Sequence, residues 1–327
     1  MSTPGLLGNS LPGEWRPFLA DSPWNTPISP DVQARSDSSA IIAFMRTKSE
    51  KLFFSRRYTI PLWVVDYTRM PQVLVHSPRI FDWWDPDKNG IANVGVPWVP
   101  EMWPEQTNDG HISIVDPVIG MAWEMSRFVP GNPPSCTTFN LWNQRLMGYG
   151  HPHEGERWTA RGGRGSGFPL TPGLIRPERL TWAASRGDLG HALVFTFPEC
   201  RKHEDGSKMF IYPPACRADG ESVGAQYPVQ GDCFQLDPTL DEQDFDTWGL
   251  LWHGRVLART LQRYGMFLGD RGGEWKLQLQ LLAKSEDAHV AAWEAKMGAG
   301  FYREVEKIPT KHFRIVQRRG TLVVKKG

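Results

Sequence analysis

Residues 108–127 read NDGHISIVDPVIGMAWEMSR, and the fold turns on how this stretch pairs with itself. Two short runs rich in β-branched and apolar residues flank PVIG (117–120), which has the length and composition of a four-residue hairpin loop built on a type I turn. That loop places Asp116 opposite Met121, Ile114 opposite Trp123, Ser113 opposite Glu124 and Ile112 opposite Met125. Side chains alternate across a strand. One face therefore carries Ile112, Ile114, Trp123 and Met125, a core face. The other carries His111, Ser113, Glu124 and Ser126, with His111 diagonal to Glu124 and within hydrogen-bonding reach. An imidazole beside a carboxylate can exchange a proton near neutral pH. The same residues also describe an ordinary solvated face, and a five-residue loop would dissolve the arrangement.

The surrounding composition points the same way. In 327 residues there are 27 prolines and 32 glycines, a turn-rich content that suits β-sandwiches better than helical bundles. With 40% hydrophobic residues the chain can bury a sizeable core. A net charge of +1 argues against a global field for nucleic acid or an acidic membrane, and no run approaches the ~18 apolar residues of a membrane span. The basic cluster Arg318, Arg319, Lys325 and Lys326 reads as a solvated tail. No signal-peptide pattern opens the chain.

Further elements follow from periodicity and punctuation. Residues 1–37 read as an extended N-terminal arm, and residues 38–327 as a single domain. Ile41, Ile42 and Met45 recur at helical spacing over residues 38–51. RYTIPLWVVDYT, QVLVHS, TTFNLWNQRLMGYG and GHALVFTF read as strands, and residues 79–108 as an aromatic loop. Thr171 and Pro172 have the pattern that opens a short helix. DTWGLLWHGRVLARTLQRYG places Leu250, Leu257, Leu261 and Tyr264 on one helical face and ends at Gly265. EDAHVAAWEAKMG is a second helix, and HFRIVQRRGTLVVKKG a closing hairpin. The expected architecture is mainly β, a jelly-roll-like β-sandwich with several decorating α-helices.

Several groups are candidates for chemistry. Among 15 tryptophans, most are expected in the core, but Trp83, Trp84, Trp98 and Trp103 sit in Pro-, Asp- and Gly-rich sequence and suit the lining of a sugar-binding surface. DPDKNG supplies Asp85, Asp87 and Asn89 at the spacing of half a calcium loop, although the same letters make a metal-free Asx turn. RGGRGSG offers Arg161, Arg164 and backbone amides to an anion, or is simply a flexible loop. His191 opens a strong strand, and His151, His153 and Glu154 form a weak metal pattern. Cys200 and Cys216 flank a polar excursion, so either that loop is closed by a disulfide, with Cys136–Cys233 as a second, or all four thiols are free. GxSxG, GxGxxG and HExxH are absent, which disfavours the common serine hydrolases, nucleotide enzymes and zincins.

DGHISIVDP with its following WEM, RGSGFPLTPGLIRPE, GHALVFTFP, and QLDP before ARTLQRYGMFLGD resemble a type of bacterial and phage-encoded protein to which no activity is attached. The resemblance spans about two thirds of the chain and implies an extracellular or virion-associated setting. More loosely, a polar sandwich face beside aromatic loops is similar to jelly-roll polysaccharide-degrading enzymes, an analogy of architecture. The expectation is therefore a carbohydrate-active enzyme cleaving a polysaccharide, either as a hydrolase or as a lyase. In a hydrolase, Glu124 would act with Asp109, Asp116 or Glu105. In a lyase, His111 would take the proton beside a uronate while Arg161 or Arg164 neutralises its carboxylate. His191 joins the catalytic candidates if its strand lies beside the hairpin. The alternative is a carbohydrate-binding or virion structural protein without chemistry.

Overall fold

The structure, a computed structural model, describes residues 3–82, 90–146, 162–202, 204, 209–316 and 323–325. Trp83, Trp84, Asp85, Asp87, Asn89, Arg161, His151, His153 and Glu154 lie outside the described residues. The strands in chain order are β1 (Leu6–Gly8), β2 (Phe53–Phe54), β3 (Ile60–Val65), β4 (Val73–Asp82), β5 (Gly90–Val96), β6 (Ile112–Asp116), β7 (Met121–Ser126) and β8 (Thr138–Asn143). They continue as β9 (Leu193–Phe197), β10 (Met209–Ile211), β11 (Cys233–Leu236), β12 (Met266–Arg271), β13 (Lys276–Leu277), β14 (Gln280–Leu281), β15 (Phe313–Val316) and β16 (Val323–Lys325). Five α-helices accompany them: α1 (Ser38–Lys48), α2 (Pro177–Ala183), α3 (Glu242–Thr247), α4 (Trp252–Arg263) and α5 (Glu286–Met297).

The expected fold class is what is found: mainly β, two packed sheets with helices added. The first sheet runs β1-β3-β6-β7-β8-β4-β5, with β14 also on β3. The second runs β15-β11-β12-β9-β13-β2. Both are mixed, since β3 lies parallel to β6, β4 to β8, and β9 to β12.

The hairpin has the register read from its sequence. Ile112 faces Met125, Ser113 faces Glu124, Ile114 faces Trp123 and Asp116 faces Met121. Its turn is held by Asp116, whose Oδ1 accepts the amides of Val118 (2.8 Å) and Ile119 (3.1 Å), and Gly120 closes it at φ +76°. Ile112, Ile114, Trp123 and Met125 pack into an apolar cluster with Val75, Phe139 and Trp98 on the outer side of the first sheet. The opposite side of that sheet meets the second through Leu62, Val64, Val115 and Trp142 against Val194 and Phe267. Trp24, from the N-terminal segment, wedges into this layer edge-on to Phe168 and Phe267, at centroid distances of 4.9 and 5.1 Å. Helices cover the far side of the second sheet around Phe195, Trp275 and Trp293.

Some local expectations are corrected. Residues 79–108 are not all loop, because β4 continues to Asp82 and GIANVGV forms β5. Gly, Ala and Asn are weak strand formers, and the antiparallel ladder to β4 overrides them. The helix expected to follow a Thr171 cap begins at Pro177 instead, with the same proline-first logic applied five residues later. DTWGLLWHGRVLARTLQRYG breaks, because Gly249 at φ +65° ends α3 before α4 begins. Of the expected apolar face, Leu257 and Leu261 lie on α4, while Leu250 and Tyr264 fall just outside its ends, and all four are buried. The closing hairpin does not form: β15 pairs with β11 and β16 with β10. No disulfide joins the four cysteines, all of which are buried, and Cys136 and Cys233 belong to different core clusters.

Candidate active site

The polar face of the hairpin is neither solvated nor open. The segment following RGGRGSG lies across it. Glu124, fully buried, accepts the Leu170 amide on Oε2 (2.6 Å) and the Thr171 amide and hydroxyl on Oε1 (2.9 Å each). Thr171 Oγ1 lies 2.7 Å from Ser113 Oγ, and since its own proton goes to Glu124, Ser113 donates. Burial pushes the Glu124 carboxyl upward, and the three donated hydrogen bonds pull it back. Among the described residues no hydrogen bond joins His111 to Glu124. The carboxylate expected at the catalytic face is instead a clamp beneath it, and Thr171 is not a helix cap but that clamp's partner.

The described part of this stretch, GGRGSG (162–167), is a built loop rather than a flexible one. Within it Gly162 donates to the Gly167 carbonyl (2.7 Å) and Gly167 to the Arg164 carbonyl (2.8 Å). A side chain at Gly162 would meet the Phe168 carbonyl oxygen at 1.9 Å, so only glycine lets the loop fold back this tightly. The loop docks on β12 where the β9–β12 register slips between Leu268 and Asp270. There Ser166 donates to the Gly269 carbonyl and the Gly165 amide to Asp270 Oδ1, both at 3.0 Å. Such irregularities commonly re-aim a side chain beside a functional site. On its other side Gly165 abuts Asp219, whose Oδ2 would lie 2.4 Å from an added Cβ. Two carboxyls thus flank one glycine. Burial first, then the Asp219 charge, push Asp270 up to about 7, against the opposing pull of Arg164.

These elements meet at a cleft of ≈ 820 Å³ whose lining includes Arg56, Tyr58, Asp109, His111, Arg164 and Asp270. A second compartment of ≈ 510 Å³, with Arg79, Arg127, Arg217 and Asp219 in its wall, shares Asp109, His111, Asp270 and Arg271 with it. The rim mixes acidic and basic groups and presents no single-sign field. His111 is 8% exposed and Arg164 2%, and both line the main cleft. Arg164 spends Nη2 on the Leu170 carbonyl (2.8 Å), but neither its Nε nor His111 Nδ1 has a hydrogen-bond partner among the described residues. Buried polar atoms are normally satisfied, and two orphans at one cleft floor point to a ligand. Burial, reinforced by Arg164, drives His111 down to about 3, so the imidazole is neutral at physiological pH. Asp109, half-buried, is shifted upward by burial against the pull of Arg127.

The other candidates are distributed elsewhere. His191 lines neither compartment: it sits buried near Arg179, Arg176 and Arg16, with Nδ1 2.9 Å from the Ala192 carbonyl. Trp98 is buried, edge-on to Phe128, and donates to the Met102 carbonyl (2.9 Å), so it is core rather than surface. Trp103 packs edge-on to Trp63 and borders a separate groove of ≈ 480 Å³. Glu105 is buried and shifted upward by burial, against hydrogen bonds from Thr107 and the Tyr58 amide. Asp116 serves the turn. No cluster of three or more His, Cys, Asp or Glu is placed to hold a metal among the described residues. No described helix is long and apolar enough to cross a membrane. Sequence reading missed Asp270, Asp219, Tyr58 and Arg217. FLGD carries no local signal that marks Asp270 for this place, inside β12 rather than at its end.

Comparison with family models, curated proteins and solved structures finds no match.

Proposed function

We propose that the chain is an enzyme that cleaves a uronate-containing polysaccharide by β-elimination, with the ≈ 820 Å³ cleft as its active site. The observation that carries this reading is the pairing, at one cleft floor, of a buried guanidinium with an unspent donor and a neutral buried imidazole, beside a carboxyl held near 7. Arg164 receives the uronate carboxylate, which withdraws charge from the adjacent carbon and acidifies its proton. His111 takes that C5 proton. Entry of the anion neutralises the arginine that depressed His111 and raises the imidazole's basicity as the substrate binds. The C5–H electron pair becomes the C4–C5 double bond, the C4–O bond breaks, and protonated Asp270 gives its proton to the departing oxygen. Glu124 does not touch substrate in this scheme. It fixes the loop that carries Arg164.

The test is the ultraviolet absorbance of the unsaturated product on polygalacturonate, alginate and hyaluronan. His111→Ala and Asp270→Asn are each expected to lower kcat by about 10²–10⁴-fold. New reducing ends without the double-bond absorbance would favour hydrolysis instead, with Asp219 and Asp270 as the carboxyl pair flanking Gly165. Polymer binding that persists without any cleavage would leave a carbohydrate-binding module.

A further inference from the structure

The aromatic platform for the sugar was expected from tryptophans, yet Trp98 is buried and Trp103 packs on Trp63. Among the described residues, the exposed aromatic residue in the cleft wall is Tyr58, 45% accessible, at the tip of SRRYT between β2 and β3. Its backbone lies at φ +57°, the left-handed region that a bulky non-glycine residue rarely adopts. Strain of this kind persists only where the surroundings impose it. Here the imposing group is Glu105. Its buried carboxylate accepts the Tyr58 amide, and its own amide donates to the His111 carbonyl at 2.8 Å. One residue therefore sets both the tip and the base at the cleft floor. Arg56 and Arg57 flank Tyr58 in the same wall, with the Arg57 guanidinium 5.9 Å from the Tyr58 ring centre.

We infer that Tyr58 is the stacking surface for a sugar ring neighbouring the one held by Arg164, with Arg56 and Arg57 reading that ring's carboxylate. This rests on the uronate reading of the cleft and adds a subsite to it. An aromatic face covers the apolar face of a pyranose, and adjacent guanidinium groups supply in-plane donors for its acid group. The conformational strain at Tyr58 is what turns the ring toward the cleft.

Binding of polygalacturonate, alginate and hyaluronan, with dextran as the neutral control, is measured by affinity electrophoresis for wild type, Tyr58→Phe and Tyr58→Gly. Glycine keeps the left-handed backbone and removes only the ring, so Tyr58→Gly should melt no lower than wild type. The expected result is binding of an acidic polymer weakened roughly tenfold in Tyr58→Gly and within about twofold of wild type in Tyr58→Phe. Unchanged binding by Tyr58→Gly overturns the subsite while leaving Arg164 and His111 in place. Equal weakening in both variants overturns stacking in favour of the hydroxyl. Failure of the wild type to bind any acidic polymer overturns the cleft reading and the subsite with it.

Discussion

Asp270 shows how one residue's surroundings set both chemistry and stability. An aspartate ordinarily titrates near 3.8, and here burial and Asp219 hold it near 7. Between those values the folded protein keeps a proton that the unfolded chain has released. The stability linked to that proton is complete below about pH 4 and is lost as the pH rises through 7. Asp270→Asn removes the titration and can still accept the Gly165 amide. Its advantage over wild type is therefore expected to grow from pH 4 to 7 and level off above, reaching on the order of 2–4 kcal/mol in urea unfolding. The same variant is the one expected to lose turnover, the usual conflict between stability and a site held in costly surroundings. Neither the proton affinity nor the placement of Asp270 was legible in FLGD, since both depend first on burial and then on Asp219 and the opposing Arg164, 51 and 106 positions away in sequence.

At the scale of elements, the hairpin and the loop that covers it form one device. The β6–β7 register was legible because a four-residue turn and strict alternation leave a single pairing that buries Ile112, Ile114, Trp123 and Met125 together. What lies over the other face was not, because a covering segment 46 residues further along leaves no periodic trace near Glu124. Glu124→Ala strands two backbone amides and disturbs the Thr171–Ser113 pair, all buried, and is expected to cost about 3 kcal/mol or more in chemical denaturation. Glu124→Gln keeps one carbonyl acceptor but turns an amide toward a donor, and about 1–3 kcal/mol is expected. In both, the loss should extend to polymer affinity, since the freed loop carries Arg164.

For the molecule as a whole, cysteines that form no disulfide imply that packing rather than covalent bridges holds the layers together. Cys136, Cys200, Cys216 and Cys233 are all buried, and burial raises the thiols of Cys136 and Cys200. Four thiols should titrate in denaturant without reductant, few should react in the native state, and added reductant should leave Tm unchanged. By itself the sequence determined the mainly β class, the hairpin with its register, and the helical faces around Ile41 and Leu257. Those are local properties, written in alternation, helical spacing and turn residues within a dozen positions. The tertiary structure alone decided that Glu124 is a buried clamp, that His191 and Trp98 stand away from the cleft, that Asp270 and Tyr58 converge on it, and that Asp219 lines the adjoining compartment. The physical reason is that burial, charge proximity and an imposed left-handed backbone depend on which distant segments the two sheets bring into contact. No short stretch of chain encodes that by itself.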